Sequence, residues 1–136
     1  MPAGYSGTPL ATKLGLKDGM AIYVHGAPQE YEEFFTGFPL GIKYQKRPRP
    51  ETTDFIHIFS TKIAELEKTV TRLTPALKKN GLMWVSWPKG SSKIETDIKR
   101  EPLRTLVLKT GLVDVKVCAV DEDWSGLKFV YRLKDR

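Results

Sequence analysis

The chain has 136 residues, of which 40% are hydrophobic and 28% are charged, and its formal net charge is +6. This length predicts a single domain over residues 1–136, and no apolar run approaches the roughly 18 residues that a membrane span needs. Residues 1–4 show no basic region followed by an apolar stretch, so we expect no secretory signal, no membrane partner and a cytosolic location.

The first half of the chain predicts short elements separated by turns. Thr8 and Pro9 are an N-cap and a first-turn proline for a short helix that ends at Gly15. Apolar runs bounded by Gly and Pro then mark the next elements. These are a strand at residues 20–24, a short helix at residues 30–35 and a short strand at residues 41–46.

The middle of the chain predicts a βαβ unit. Residues 55–59 and 82–87 are apolar strands, and an amphipathic helix lies between them. A crossover of this kind joins two parallel strands. Its boundary signals are Ser60 or Thr61 as helix caps, Thr74-Pro75 as a kink or restart, and Asn80-Gly81 as the helix end.

The last third predicts a loop, a helix and a hairpin. Residues 88–93 form a polar loop of Gly and Ser, and residues 101–110 form a helix. Two alternating runs at residues 113–120 and 127–133, joined by the turn at residues 121–126, predict an antiparallel hairpin. The apolar phase of the elements places five residues in one core: Leu66, Leu73, Val85, Val107 and Val117.

A mostly parallel sheet that ends in an antiparallel hairpin resembles the C-terminal half of the Rossmann-like methyltransferases that use S-adenosylmethionine. In those enzymes an Asp-hydrophobic strand, a helix, a Gly-containing turn and another strand follow in the order of Asp54-Phe55-Ile56, residues 66–77, Asn80-Gly81 and residues 82–85. The resemblance implies an α/β fold with three layers: a truncated, methyltransferase-like, mostly parallel sheet with a C-terminal antiparallel hairpin.

Nearly the whole chain also resembles a family of small bacterial proteins that is classed only as a domain of unknown function. That family implies no activity. Three blocks carry the resemblance: residues 5–15, residues 84–89 with Thr96-Asp97, and residues 120–129.

The loop after the first strand departs from the methyltransferase pattern. Those enzymes need a glycine-rich loop there, so that the backbone can approach the cofactor, and an acidic residue after the second strand for the ribose hydroxyls. Here the strand runs into His25-Gly26-Ala27-Pro28-Gln29, and too few residues precede Asp54 for two further strands and their helices. We therefore expect no cofactor and no binding of S-adenosylmethionine.

Ligands of open parallel sheets bind beyond the carboxyl ends of the strands. His25 ends one predicted strand, while Lys89, Ser91 and Ser92 follow another and offer ammonium and hydroxyl donors suited to an anion. A solvated turn is the favoured alternative for that loop. A hydrogen-bonded loop histidine is the favoured alternative for His25.

Asp97, Asp121 and Trp124 complete the candidate ligand-binding residues. Two carboxylates that meet would suit acid–base catalysis, but helix capping by Asp97 and turn formation by Asp121 are favoured. Trp124 either closes over a ligand or is buried at the sheet edge. In methyltransferase-like sheets the first hairpin strand runs parallel to its neighbour, so the resemblance implies that the hairpin turn lies beside Lys89.

The basic residues permit a nucleic-acid partner, although a solvated basic loop is favoured. A nucleic-acid surface would need the cluster at residues 43–49 to continue across one face with Lys93, Lys99 and Arg100. The only cysteine, Cys118, excludes an internal disulfide and fits a buried small residue. With two histidines in the chain, we expect no metal site.

These patterns leave the reaction and ligand undetermined. The favoured interpretation is a non-catalytic, methyltransferase-like domain that binds a small anionic ligand or a protein partner at the carboxyl ends of its strands. The alternatives are an enzyme of unknown reaction that uses the region of Lys89, Asp97 and Asp121, and a basic nucleic-acid-associated domain.

Overall fold

The computed structural model describes residues 8–136, so residues 5–7 of the first resemblance block lie outside the description. Single 3₁₀ turns occur at Tyr31–Phe34, Thr74–Ala76 and Leu133–Asp135. The helices and strands are α1 (Leu10–Leu14), β1 (Ala21–His25), β2 (Lys43–Tyr44), β3 (Thr53–Phe59), α2 (Ile63–Leu73), β4 (Leu77–Pro88), α3 (Arg100–Leu108), β5 (Leu112–Ala119) and β6 (Trp124–Tyr131).

The six strands form one mixed sheet in the order β2-β1-β3-β4-β6-β5. The first four strands are mutually parallel, and β6 runs antiparallel to both β4 and β5. The α/β class, the parallel βαβ unit and the C-terminal antiparallel hairpin are therefore confirmed. Because β6 lies between β4 and β5, the first hairpin strand lies at the sheet edge and pairs antiparallel with β6. The expectation that it runs parallel to its neighbour is therefore wrong.

Strand β3 separates two cores because its side chains alternate between the faces of the sheet. Ile56 and Ile58 belong to a core under α2 and α3, while Phe55 and Phe59 belong to a second core under α1 and the 3₁₀ turn at Tyr31–Phe34. The sheet is thus covered on both faces. Among residues 8–136, no helix combines the length and apolar composition required to cross a bilayer.

The second strand of the βαβ unit begins earlier than predicted. Asn80 and Gly81 were expected to stop the helix, but they lie inside β4, which already starts at Leu77. The 3₁₀ turn that contains Pro75 ends the helical path, because proline cannot continue it. A Cβ at position 81 would lie 3.0 Å from the Asp54 carbonyl oxygen, so Gly81 allows β3 to approach closely.

Four of the five predicted core residues lie in the core under α2 and α3, and Val117 does not. Val117 is 44% exposed because its strand is at the sheet edge, beyond the cover of α3. The hairpin boundaries also differ, since Trp124 begins β6 and is not part of the turn.

Truncation of Leu73 provides a test of the helix assignment. Leu73 is 1% exposed, so Leu73→Ala should lower the free energy of unfolding by about 2 to 5 kcal/mol through lost burial and a residual cavity. Val117→Ala is the matched control on an exposed position and should cost less than about 1 kcal/mol. Denaturant melts measure both, and a loss below about 1 kcal/mol for Leu73→Ala would mean that the buried face of α2 is wrong.

Candidate functional site

The ends of β1 and β3 form the point where the sheet changes its winding direction. The chain leaves β1 toward the face that carries the 3₁₀ turn Tyr31–Phe34, and it leaves β3 toward the opposite face through α2. In open parallel sheets, the crevice at such a point is the usual ligand position. We call this position the switch crevice.

Aromatic side chains fill the switch crevice. Phe34, from the 3₁₀ turn, stacks on Phe59 at the end of β3, with ring centroids 5.4 Å apart and planes 13° apart. Trp124 packs edge-on against Phe59, with ring centroids 5.3 Å apart. All three side chains are buried, so the crevice contains protein where a ligand would lie.

A buried hydrogen-bond chain holds the 3₁₀ turn in place. The Nδ1 atom of His57, in the middle of β3, lies 2.7 Å from the Tyr31 hydroxyl, and its Nε2 atom lies 2.7 Å from the Ser86 hydroxyl. His57 and Ser86 are both fully buried. Desolvation lowers the pKa of His57 to about 3, which keeps the ring neutral. A neutral imidazole supplies one donor and one acceptor, and the two hydroxyls match both.

Sequence reasoning did not single out Tyr31, His57 or Ser86. The available signal was His57 itself, because a histidine flanked by apolar residues in a buried strand requires hydrogen-bond partners. Ser86 could be identified only from the pairing between β3 and β4, which places Phe59 beside Ser86. Tyr31 could be identified only from the packing of the segment after β1 on β3.

A second concave feature lies at the carboxyl end of β4, and we call it the β4 depression. It has a volume of about 620 Å³ and is formed by the connection between β4 and α3. Four cationic side chains line it: Lys89, Lys93, Lys99 and Arg100. Within residues 8–136, none of the four forms an ion pair.

The candidate residues Ser92 and Asp97 line the β4 depression and also fasten its walls. The Ser92 hydroxyl donates to Asp123 Oδ1 at 2.9 Å, which joins the loop to the hairpin turn. Asp97 Oδ1 accepts from the Ile63 N–H at 2.7 Å and so caps α2. The predicted caps Ser60 and Thr61 do not cap α2, and Asp97 does not cap the helix that follows it.

The capping by Asp97 leaves the N-terminus of α3 without a side-chain acceptor. Lys99 occupies the N-cap position of this nine-residue helix and makes no capping hydrogen bond. Lys99 and Arg100 both line the β4 depression, so the positive end of the helix dipole opens into it.

The remaining candidate residues lie outside the lining of the β4 depression. Ser91 is exposed, and Asp121 Oδ1 accepts from the backbone N–H groups of Asp123 and Trp124 to shape the hairpin turn. Trp124 is 5% exposed, so it is buried as one of its two predicted placements required. It does not lie at the sheet edge, because β6 is an inner strand and the ring packs on Phe59. His25 is half-buried at the end of β1, where desolvation and then the charge of Arg72 lower its pKa.

The predicted position of the hairpin turn is confirmed. Trp124 pairs with Pro88, and the Lys89 N–H donates to the Asp123 carbonyl at 2.8 Å. The turn and the loop after β4 therefore lie at the same end of the sheet. The structure does not bring Asp97 and Asp121 together as two free carboxylates, because each accepts hydrogen bonds from backbone N–H groups.

The two basic clusters of the sequence lie at opposite ends of the strands. The segment after β2 returns to the start of β3, where the Glu51 N–H bonds the Pro75 carbonyl. Lys93, Lys99 and Arg100 lie beyond the carboxyl end of β4. They do not form one continuous face with residues 43–49. Within residues 8–136, no group of three or more His, Cys, Asp or Glu side chains has an arrangement that could hold a metal ion.

No family model and no curated protein matches this chain. Solved structures do match. A S-adenosylmethionine-dependent methyltransferase from Aquifex aeolicus has 17% identity and a TM-score of 0.54, with 88% of this chain and 86% of that chain covered. A putative type 11 methyltransferase from Sulfolobus solfataricus has 12% identity and a TM-score of 0.59, with 90% and 89% covered.

A third similar structure is phosphoethanolamine N-methyltransferase 2 from Haemonchus contortus in complex with S-adenosyl-L-methionine. It has 12% identity and a TM-score of 0.61, and the match covers 90% of this chain and 51% of that chain. At these identities the similarity establishes the fold alone. The chain therefore has a methyltransferase-like Rossmann fold.

The switch crevice does not fit S-adenosylmethionine. A Cβ at Gly26, the single glycine after β1, would lie 2.5 Å from the Phe59 carbonyl oxygen, so the loop packs directly on the end of β3. Phe34 and Phe59 stack beside this contact. A cofactor would have to displace buried aromatic rings, each of which contributes several kcal/mol to stability.

We expect calorimetric titration with S-adenosylmethionine to show no saturable binding. The physical reason is the packing within residues 8–136, where Phe34 and Trp124 lie against Phe59 and the loop at Gly26 lies against the Phe59 carbonyl. A dissociation constant below about 100 micromolar, equivalent to about −5.5 kcal/mol, would contradict this expectation.

The stability of the protein should decrease in mild acid because of His57. In the unfolded chain this ring takes up a proton below about pH 6.5, whereas the folded pKa is about 3. The unfolded state thus binds more protons between these values, and His57 should remove about 2 kcal/mol of stability between about pH 7.5 and about pH 5.

Urea melts of wild type and His57→Gln at both pH values measure this contribution. The variant should lose about 2 kcal/mol less than wild type on acidification, whatever its stability at neutral pH. His25→Gln is the control, with a smaller effect because His25 is only half-buried. Equal acid sensitivity of wild type and His57→Gln would show that His57 is not buried as a neutral ring.

Proposed function

We propose that this chain is a non-catalytic, methyltransferase-like domain that binds a small anionic ligand in the β4 depression. The proposal includes membership of the uncharacterised bacterial family that the sequence resembles, and a cytosolic location. An acidic segment of a protein partner is the alternative occupant of the same depression.

The observation that carries the proposal is the uncapped N-terminus of α3 within a group of unpaired cations. The N–H groups of a first helical turn need an acceptor, and an anion placed there also gains from the helix dipole. Lys99 and Arg100 lie at this turn, and Lys89 and Lys93 line the depression from the preceding loop. These four cations outnumber the lining carboxylates, Glu95 and Asp97. An anion in the depression would accept from the Arg100 and Glu101 N–H groups, since Pro102 has none, and would neutralise part of the charge.

The loop that forms the β4 depression is already ordered before a ligand binds. Its loop is fastened at three points, by Ser92 to the hairpin turn, by the Thr96 hydroxyl to the Thr61 carbonyl at 2.8 Å, and by Asp97 to α2. A loop held in this way loses less conformational entropy on binding than a free loop would. In this proposal Ser92 and Asp97 position the site, and the cations contact the ligand.

The enzyme alternative has weaker support from the geometry. Acid–base catalysis needs a free carboxylate or imidazole within reach of a substrate. Asp97 and Asp121 accept backbone hydrogen bonds, and neither His25 nor Asp121 lines the depression. Glu95 does line it, but its carboxylate is exposed, and no histidine belongs to that lining.

Titration of isotope-labelled protein with inorganic phosphate, followed by NMR, tests the proposal. Amide signals of residues 89–101 should shift and saturate. In Lys93→Gln/Lys99→Gln the affinity at these signals should fall at least about fivefold, or roughly 1 kcal/mol, because two charged donors are lost. Lys116→Gln, on the exposed edge strand, is the control and should bind as wild type.

Three results would contradict anion binding at this position. The first is that the signals of residues 89–101 do not respond to phosphate, and the second is that they respond without saturation. The third is that the control variant weakens binding as much as the double variant does. Saturable shifts produced only by an acidic peptide would instead favour the protein partner.

A further inference from the structure

We propose that the groove between α2 and α3 is a second, separate site, which binds a small ligand carrying a multiply charged phosphate group. We call it the helix groove. It has a volume of about 920 Å³, within the size range of small-molecule sites. Its walls are the last turns of α2 and α3, and its floor is formed by the start of β4 and the end of β6.

The helix groove and the β4 depression lie at opposite ends of the sheet. The groove includes Pro75, in the turn before β4 begins, and Tyr131, at the end of the antiparallel strand β6. The depression begins at Trp87 and Pro88, where β4 ends. One small ligand therefore cannot occupy both, and the two sites can be tested independently.

Four cationic side chains from three elements converge on the helix groove, with Glu67 as the only acidic residue in its lining. Lys68 and Arg72 come from α2, Lys79 comes from β4, and Lys109 follows α3. Within residues 8–136, none of these cations forms an ion pair. All four side chains are exposed, so solvent and salt screen them from one another, and they are accessible to an anion that enters the groove.

The helix dipoles explain only half of this charge. Arg72 and Lys109 lie at the C-terminal ends of their helices, where a cation is favourable without any ligand. Lys68 lies a full turn before the end of α2, and Lys79 lies on a strand. The positions of these two cations in the groove therefore require another explanation.

The side chain of Lys79 is oriented over the groove floor. Its ammonium group lies 4.4 Å from the centroid of the Tyr131 ring, a cation–π geometry. The Tyr131 hydroxyl in turn reaches the Thr74 carbonyl at 3.4 Å, which anchors the ring. The ammonium group is thus held at the floor of the groove while it lacks an anionic partner.

A phosphate ligand of several charges matches this lining best. Four convergent cations exceed what one carboxylate can neutralise, and Arg72 can bind phosphate oxygens in a bidentate manner. The exposed Thr71 hydroxyl adds a neutral donor at the rim. The groove is open to solvent, and its volume of about 920 Å³ suits a compact ligand better than a long nucleic-acid strand.

The test is an NMR titration of the labelled full chain with inorganic tripolyphosphate. Amide signals of Thr71, Thr74, Thr110 and Tyr131 should shift and saturate, at concentrations at least tenfold below those needed with inorganic phosphate. Lys68→Gln/Lys79→Gln should weaken the affinity at these signals at least tenfold. Lys68→Arg/Lys79→Arg keeps both charges and should remain within about threefold of wild type.

The depression variant Lys93→Gln/Lys99→Gln is the matched control for overall charge. It removes the same charge at the other end of the sheet and should leave the affinity at the groove signals within about twofold of wild type. An equal loss in both double glutamine variants would overturn the proposal, because it would indicate diffuse attraction. Groove signals that do not saturate would also overturn it, as would tighter binding of a single-stranded oligonucleotide than of tripolyphosphate at the same signals.

Discussion

The burial of His57 at the centre of β3 is the constraint on which the rest of the structure depends. Both faces of this strand are covered, so the imidazole must be neutral and both of its nitrogens must be hydrogen-bonded. Tyr31 satisfies one nitrogen from the segment after β1, and Ser86 satisfies the other from β4. The hydrogen bonds therefore fix where the segment after β1 lies, and that segment brings Phe34 over Phe59.

This arrangement gives a methyltransferase-like fold a closed switch crevice. The aromatic stack occupies the position where ligands of open parallel sheets usually bind. The basic side chains of the β4 depression lie farther along the same end of the sheet, after β4. Hydrogen bonds of the Ser92, Thr96 and Asp97 side chains hold the loop after β4 in place. The use of Asp97 as a cap for α2 has a direct consequence for α3, whose N-terminus opens toward Lys99 and Arg100 without a capping side chain.

Eight of the 22 Lys and Arg side chains lie in two separate concave regions. Lys78 pairs with Asp54, and Arg104 pairs with Asp114, so these cations contribute to local structure. The cations of the β4 depression and of the helix groove form no such pairs within residues 8–136. The two regions lie at opposite ends of the strands, a separation over which salt screens charges. Each therefore has its own local positive potential, and the two do not form one basic face.

Local patterns in the sequence were sufficient for the order of elements, the parallel βαβ unit and the hairpin, because apolar periodicity and turn residues act over short distances. The position of the hairpin turn beside Lys89 was inferred from the topology that the resemblance implies, and not from a local pattern. The helix end predicted at Asn80-Gly81 was wrong because these residues suit both a turn and a close contact between strands. The core placement predicted for Val117 was wrong because periodicity does not reveal which strand lies at the edge of the sheet. Only the tertiary structure decided that Asp97 caps α2, that Tyr31 and Ser86 satisfy His57, and that cations from α2, β4 and α3 share one groove. Each of these depends on contacts between residues far apart in the chain, which pairing of the strands and packing of the helices determine and local sequence does not.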